Sequence, residues 1–271
     1  MPNRSMRSWW LFPPLTREVQ CDEKWAFVAQ KQNHCRAEEP ADAQRGDNWD
    51  HVAYDPEHRL VLSVVPGKRT AENVRWLVED FRRRTGGRIL DLITTDEYGP
   101  YRQAIWHAYG RPWVPPPRRD RRGRPVVRTY RVPPPELNYA ILCKRRRHGR
   151  VVGIERRVVL GEPAAVQAAL ERSRVSRQIN TALLERQHAT DRHRNARKTR
   201  RSYCFSKDWD VHNAATYFSL YSYNFCWPVR TLGLRGDDGH WHPRTPAMAA
   251  GLADHVWSLT EWVTFPAVPS P

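Results

Sequence analysis

The alternation of apolar and polar positions divides the first part of the chain into short strands. A first strand is predicted from Val19, where apolar and polar residues alternate through VQCDEKWAFVAQ. Two more strands are predicted at 50–55 and 59–65, and the turn residues between them, PEH at 56–58, favour a hairpin. The chain therefore opens with three strands that can pair in antiparallel fashion.

A change to helical periodicity follows at Thr70, which is suited to cap a helix. The spacing i, i+3, i+4, i+7 predicts that one face of this helix is buried, with Val74, Leu77, Val78 and Phe81. An aliphatic strand at 88–96 comes next, and a second helix is predicted after Pro100. An antiparallel opening followed by a crossover strand implies an α/β (α+β) fold, in which helices flank a mixed sheet.

The pattern breaks at 111–135, where eight prolines and a block of arginines predict no regular structure. Strand-like runs at 139–144 and 151–161 are separated by the basic stretch RRRHGR. These two runs predict an inserted basic β-hairpin, whose exposed tip is suited to contact phosphate groups.

The rest of the chain is predicted to be mainly helical, with helices over 164–170, after Asn180, and through the aromatic stretch AATYFSLYSYNF. In the last of these, the spacing places Ala214, Tyr217, Phe218 and Tyr221 on one face. The elements divide the chain into a tail (1–17), a sheet-and-helix unit (18–110), the insertion with its hairpin (111–161), a helix-bearing segment (162–202) and a C-terminal region (203–271).

Net charge changes this picture by indicating a partner. The chain has 45 Lys and Arg against 29 Asp and Glu, a formal charge of +16, and a pI near 10.2. So much basic charge favours a nucleic-acid partner, whereas the 12 tryptophans indicate a folded core rather than a basic tail. No clean basic amphipathic stretch and no apolar run of about 20 residues is present, so we expect no membrane partner.

Cysteine usage excludes one common way of binding nucleic acid. The five cysteines are widely spaced and form no CxxC pair, so a zinc ribbon or finger is not supported. An odd number of separated cysteines fits a reduced, cytoplasmic environment, and the charge suggests association with the nucleoid.

Three carboxylates are the candidates for chemistry. Asp22 interrupts the first strand, Asp96 ends an aliphatic strand, and Glu185 lies on a helix within a segment, 172–201, that has ten Lys or Arg and only two carboxylates. Two strand aspartates and one helix glutamate can hold two divalent cations, the arrangement used for phosphodiester cleavage and transfer. Bound cations would also explain an acidic residue on a basic helix, because they reverse the local charge.

Ordinary structural roles remain open for each of these carboxylates. Asp22 can be an ion-paired strand residue, Asp96 can cap the turn before Pro100, and Glu185 can pair with Arg186 or Arg192 on the helix surface. Four other acidic residues compete for the same role on sequence grounds: Asp55, Asp91, Glu97 and Asp191.

Three stretches, CDEKWAFV, TTDEYGPYRQAI and INTALLERQHATDRHRNARKTRR, resemble the acidic motifs of the DDE transposases of the insertion sequence one family. The later FSKDWDVHNAATYFSLYSYNF and TPAMAAGLADHVWSL resemble the C-terminal signature of that family, so the resemblance runs from about Glu18 to about Trp262. It implies an RNase H-like catalytic fold and a two-metal mechanism with Mg²⁺, for which Mn²⁺ can substitute. By matching motifs, the catalytic and metal-binding residues are Asp22, Asp96 and Glu185.

The resemblance also implies DNA as the substrate, both as transposon ends and as target, and a homo-oligomer assembled on it. Basic residues of the third motif are expected to follow the DNA backbone: Arg186, Arg192, Arg194, Arg197, Lys198, Arg200 and Arg201. The family's N-terminal zinc-finger and helix-turn-helix region has no counterpart before Asp22, which suggests a second-frame product or a truncated copy, with recognition on a separate chain or domain. Two alternatives stay open: an RNase H-like nuclease without strand transfer, and a non-catalytic DNA-binding relic or regulator.

Overall fold

The computed structural model describes residues 14–116, 118–119, 122, 124–126, 129–199 and 202–265. Its strands are β1 (Glu18–Val28), β2 (Gly46–Asp55), β3 (Leu60–Gly67), β4 (Leu92–Asp96), β5 (Arg111–Trp113), β6 (Arg118–Arg119), β7 (Pro125–Val126), β8 (Tyr130–Val132), β9 (Tyr139–Arg147), β10 (Arg150–Leu160), β11 (Leu234–Arg235) and β12 (Trp241–His242). Its α-helices are α1 (Ala71–Arg84), α2 (Pro100–Tyr109), α3 (Pro163–Arg172), α4 (Ala182–Arg194), α5 (Trp209–Cys226), α6 (Pro246–Ala249) and α7 (Leu259–Thr264). Short 3₁₀ turns lie at Gln32–His34, Pro40–Gln44, Ala196–Lys198 and Arg230–Leu232.

Six strands form one mixed sheet in the order β10-β9-β4-β1-β2-β3. The first three strands pair antiparallel, and β4 then returns to lie parallel to β1 on its other side. Strand β9 lies parallel to β4 and antiparallel to β10. The predicted mixed sheet with flanking helices is therefore confirmed.

Helices cover both faces of the sheet, because side chains alternate between faces along each strand. Helices α1 and α2 pack on the face that carries Val19, Cys21 and Ile93. The opposite face is covered by α4 and α5 beside Val52 and Val61, and by α3 beside Leu92. Odd-numbered residues of β1 thus face α1 and α2, while even-numbered residues face α4.

Local signals at α1 are confirmed in detail. The Thr70 side chain accepts a hydrogen bond from the backbone N–H of Asn73, and the predicted face of α1 is fully buried. Thr245 likewise caps α6. Helix α4 begins one residue later than expected, with Thr181 as the cap residue, although the Asn180 side chain still accepts a hydrogen bond from the N–H of Ala182.

The predicted inserted hairpin is corrected by the sheet pairing. Strands β9 and β10 belong to the main sheet, because the first half of β9 is apolar and buries Tyr139, Ala140 and Leu142 beside β4. Only the far end projects as an exposed basic tip. There His148 and Gly149 both have positive φ, as a two-residue hairpin turn with right-handed strand twist requires.

The prediction that 111–135 lacks regular structure is also wrong in part. In the described portion of this segment, β5 pairs antiparallel with β8 and β6 with β7. These ladders are two or three residues long, and the prolines limit their length by removing backbone donors.

Of the four residues predicted to share one face of α5, Tyr221 is buried and Tyr217 is half-buried. Ala214 and Phe218 are exposed, whereas the buried positions in the first half of the helix are His212 and Thr216. Polar residues face inward there because α5 covers charged side chains of the sheet, which are described below. Among the described residues, no helix combines the length and apolarity needed to cross a bilayer.

Candidate metal centre

The parallel pairing of β1 with β4 brings two predicted site residues together. Cys21 is the register partner of Thr95, so Asp22 and Asp96 follow it as neighbours at the carboxyl end of β4. Both lie on the sheet face covered by α4, and both are partly exposed, with 21% and 30% of their side chains accessible. Two carboxylates thus share one half-open position at the edge of the sheet core.

Glu23 is a third carboxylate at this position and was missed by sequence reasoning. Asp22, Glu23 and Asp96 each offer a carboxylate oxygen, and these oxygens lie within 4.8 Å of one another. Strand alternation alone assigns Glu23 to the opposite face from Asp22. The one signal for it in the sequence was a second acidic residue directly after Asp22.

Arg69 is the cation that partly balances this group. Its guanidinium donates to Glu23 Oε2 at 2.8 and 3.0 Å and lies 3.8 Å from Asp96 Oδ2. It is held in place by stacking over the rings of Trp49 and Tyr98, at 4.9 and 4.0 Å from their centroids. The second oxygen, Glu23 Oε1, is buried and has no hydrogen-bond partner among the described residues.

The pKa values of these carboxyl groups reflect an excess of negative charge. Burial, together with the nearby Asp96, raises the pKa of Glu23 to about 7. Burial and then the charge of Asp22 raise the pKa of Asp96. Three converging carboxylates with one orphaned buried oxygen are a donor set that fits a hard divalent cation such as Mg²⁺, which prefers oxygen ligands.

Glu185, the third predicted residue, lies on α4 over the same face of the sheet but outside this group. Its Oε1 atom accepts hydrogen bonds from Lys144 of β9 and from Thr181 Oγ1, the latter at 2.9 Å. Lys144 is also close enough to Asp96 to oppose the rise of its pKa. One lysine thus pairs with Glu185 and also acts on Asp96, while the Glu185 carboxylate is not among the three that converge.

The packing of α4 on β1 fixes the remaining neighbours of Asp22. The backbone N–H of Leu184 donates to Gln20 Oε1 at 3.1 Å, and His188 Nε2 lies 3.6 Å from Asp22 Oδ2. Burial lowers the pKa of His188, although Asp22 opposes this effect. A buried histidine on α4 therefore contacts Asp22 from the helix side.

The competing acidic residues have structural roles. Asp55 accepts hydrogen bonds from Thr16 and His58 at the turn between β2 and β3. Glu97 pairs with Arg157 on the surface, and Asp191 is buried beside Lys24. Asp91 precedes β4, at the opposite end of that strand from Asp96.

The predicted DNA-contacting residues fall into different environments. Arg186 and Arg197 are exposed, and Arg194 is exposed but stacks on Trp227, 4.3 Å from the ring centroid. Arg192 is half-buried. Arg200 and Arg201 lie outside the described residues. A second exposed basic surface is the tip of the β9–β10 hairpin, formed by Arg145, Arg146, Arg147, His148 and Arg150.

Lys198 is a correction to the expected DNA-binding surface. Its ammonium group is fully buried and donates to Asp50 Oδ2 at 2.5 Å. Because Ala196–Lys198 is a tight 3₁₀ turn, Arg197 points outward and the next residue points into the protein. Charge alone did not distinguish the two residues.

The raised pKa of Glu23 leads to a prediction for the metal-free protein. A folded-state pKa of about 7, above the ordinary 4.5, means that the folded state binds this proton more tightly than the unfolded state. The stabilisation of the folded state that comes from this proton is fully present below pH 4.5 and is lost as the pH rises through about 7. We expect Glu23→Gln to remove this loss, so that the variant gains about 1–3 kcal/mol relative to wild type at neutral pH.

Urea denaturation in a chelator across this pH range measures the difference. The difference between variant and wild type isolates Glu23 from the other titrating groups. A difference that does not change with pH would show that Glu23 titrates as an ordinary surface glutamate.

No protein-family model matches the chain, and the comparison with curated proteins gives no match.

Proposed function

We propose that this chain is a metal-dependent enzyme that cleaves and joins DNA strands, a DDE transposase of the insertion sequence one family. The observation that carries the proposal is the meeting of Asp22 and Asp96 on neighbouring parallel strands, with their oxygens within 4.8 Å and next to those of Glu23. Acidic residues far apart in sequence converge there at a half-open edge, as a site for phosphodiester chemistry requires.

The architecture around these residues supports the same proposal. A six-stranded mixed sheet, with β1, β2 and β3 antiparallel, β4 and β9 added in parallel, β10 antiparallel to β9, and helices on both faces, is compatible with the RNase H-like fold that the resemblance implies. The three candidate carboxylates lie on different elements: Asp22 on the first strand, Asp96 at the end of a crossover strand, and Glu185 on a helix packed on that first strand.

Different residues would have different roles in the reaction. Asp22, Asp96 and Glu185 would hold Mg²⁺, with Glu23 as a further oxygen donor, and the cations would stabilise charge on the scissile phosphate and activate the attacking oxygen. His188 contacts Asp22 from the α4 side, and Arg69 holds Glu23 in position through an ion pair. The exposed arginines of α4 and of the hairpin tip would supply cations for the DNA backbone.

Cleavage of DNA by the purified protein tests the proposal. We expect cleavage of non-specific or pre-nicked DNA with Mg²⁺ or Mn²⁺, loss of cleavage in a chelator, and joining of pre-cleaved ends to a target. Asp22→Asn should abolish both reactions while metal-free DNA binding is retained. Cleavage without joining would identify a nuclease, and DNA binding without metal-dependent cleavage would identify the non-catalytic relic.

The ion pair between Lys144 and Glu185 leads to a prediction about metal binding. If Glu185 is a metal ligand, the cation and the Lys144 ammonium compete for the same carboxylate. Lys144→Ala should then tighten Mn²⁺ binding several-fold, as measured by electron paramagnetic resonance of free Mn²⁺. Lys144→Arg keeps the positive charge and serves as the control, with affinity near that of wild type. Equal affinity in all three proteins would place Glu185 outside the metal centre.

A further inference from the structure

A cluster of four charged side chains is buried between β1, β2, α4 and the 3₁₀ turn that follows α4. Lys24 lies 3.1 Å from Asp50 and also pairs with Asp191, while Lys198 lies 2.5 Å from Asp50 and 3.7 Å from Asp191. All four side chains are at most 2% exposed. The two lysines and two aspartates, called here the buried charge cluster, balance one another in formal charge.

Helix α5 completes the cluster with hydroxyl groups. Ser219 Oγ donates to Asp191 Oδ1 at 2.6 Å, and Thr216 Oγ1 lies 3.4 Å from Asp50 Oδ1. These contacts explain why polar residues occupy inward positions of α5 beside its buried apolar residues. Burial would raise the pKa of Asp191, but Lys24 and Lys198 together lower it, so the aspartate is charged in the folded protein.

Helix α4 contacts β1 at regular intervals, and the buried charge cluster provides the last of these contacts. Along β1, the inward residues Gln20, Asp22 and Lys24 are each met by a residue of α4, namely Leu184, His188 and Asp191 in that order. The spacing of two residues on the strand thus matches three to four residues on the helix. Glu185, one residue after Leu184, takes its position from this alignment.

A shift of α4 along β1 is strongly opposed by the buried charges. Moving the helix by one turn, about 5.4 Å, would bring Gln187 or Asn195 opposite Lys24 in place of Asp191. Either shift leaves a buried ammonium group and a buried carboxylate without full compensation, which is costly in a core. Apolar packing alone discriminates less between such positions, because one aliphatic contact can replace another.

We infer that the buried charge cluster positions Glu185 and His188 relative to Asp22, with Lys24 and Asp191 as positioning residues for the acidic centre. This inference rests on the proposed function in so far as Glu185 acts there as a ligand. A role in stability alone does not account for the cluster, since buried ion pairs add little net stability compared with apolar residues of similar size. A role in fixing one alignment is the use for which buried polar groups are best suited.

A charge-balanced replacement tests the inference. Lys24→Met combined with Asp191→Asn removes one lysine and one aspartate, keeps the side-chain volumes, and leaves the Lys198–Asp50 pair intact. The amide oxygen introduced at position 191 can still accept a hydrogen bond from Ser219. We expect the double variant to fold and to bind DNA as wild type, but to bind Mn²⁺ about ten- to a hundredfold more weakly, the usual loss when a support of a metal ligand is removed.

Two further variants separate positioning from general stability. Arg75→Met with Glu79→Gln removes an ion pair on the exposed surface of α1, and should leave Mn²⁺ affinity unchanged. In a Glu185→Gln background, the Lys24 and Asp191 replacement should have little further effect on Mn²⁺ affinity, because the ligand that it displaces is already lost. A full additional loss in that background would show that the cluster does not act through Glu185.

Asp191→Glu keeps every charge, and it tests the inference if the double variant does not fold. Its extra methylene group lies between α4 and Lys24, so we expect a smaller loss of Mn²⁺ affinity in the same direction. If the wild type binds Mn²⁺, folded variants that bind it with wild-type affinity would overturn the inference.

Amide hydrogen exchange distinguishes failure of the inference from failure of the proposed function. The double variant should lose protection in α4 more than in α1, whether or not the protein binds metal. If the wild type binds no Mn²⁺ and α4 still loses protection, the proposed function is wrong and the alignment role stands. Unchanged protection of α4 would overturn the alignment role itself.

Discussion

Asp96→Asn is expected to lower metal-dependent DNA cleavage by several orders of magnitude while the protein stays folded. The substitution removes one negative charge with almost no change in volume, at the position where Asp96 and Asp22 share one edge of the sheet. Cleavage that depends on divalent cations cannot tolerate this loss, because the anionic oxygens both bind the cations and fix their separation. Cleavage of pre-nicked DNA with Mg²⁺ measures the effect.

Metal-free properties of the same variant provide the control. DNA binding in a chelator should be equal to wild type or slightly tighter, because a negative charge facing phosphate has been removed. Stability should be equal or higher, since burial and Asp22 already raise the pKa of this carboxyl group. Ca²⁺ should support DNA binding with little cleavage in the wild type, because its looser coordination is poor for in-line attack. Equal, metal-dependent cleavage by Asp96→Asn and wild type would exclude Asp96 as a ligand.

Much of the sheet could be predicted because its signals are local. Alternation along β1, the turn between β2 and β3, and the capped periodic helix α1 each follow from fewer than about fifteen neighbouring residues. The candidate aspartates were found from such signals, because Asp22 interrupts one strand and Asp96 ends another. Their meeting also depends on the parallel register in which Cys21 pairs with Thr95, and no local signal sets that register.

Features that depend on distant partners were not predicted. Glu23 belongs to the acidic group because β1 runs on past the end of β4, which alternation within β1 does not show. The sequence pattern assigned β9 and β10 to a hairpin outside the sheet, because the arginines of the hairpin outweighed the apolar first half of β9, which is buried. No local pattern indicates that residues 24, 50, 191 and 198 meet, and the polar inward positions in the first half of α5 are a consequence of that meeting.

The environment of Lys198 leads to the second large effect, which is on stability rather than on DNA binding. Lys198→Met removes one of two cations from the buried charge cluster and leaves Asp50 and Asp191 to share Lys24. An uncompensated buried charge of this kind costs about 3–5 kcal/mol, a large part of the stability of an ordinary domain. Urea denaturation should show this loss. Adding Asp50→Asn restores charge balance and should recover part of it.

Arg197→Ala is the matched control, because Arg197 is adjacent in sequence but exposed. It should leave the free energy of unfolding within about 0.5 kcal/mol of wild type and reduce the salt dependence of DNA binding by about one phosphate contact. Folded Lys198→Met protein, examined at low temperature, should keep the wild-type salt dependence, since its ammonium group does not reach the surface. The opposite pattern, with normal stability and a weaker salt dependence in Lys198→Met, would mean that Lys198 leaves the cluster to contact DNA. Arg197 and Lys198 would then both bind DNA, and other contacts would have to fix the position of α4 on β1.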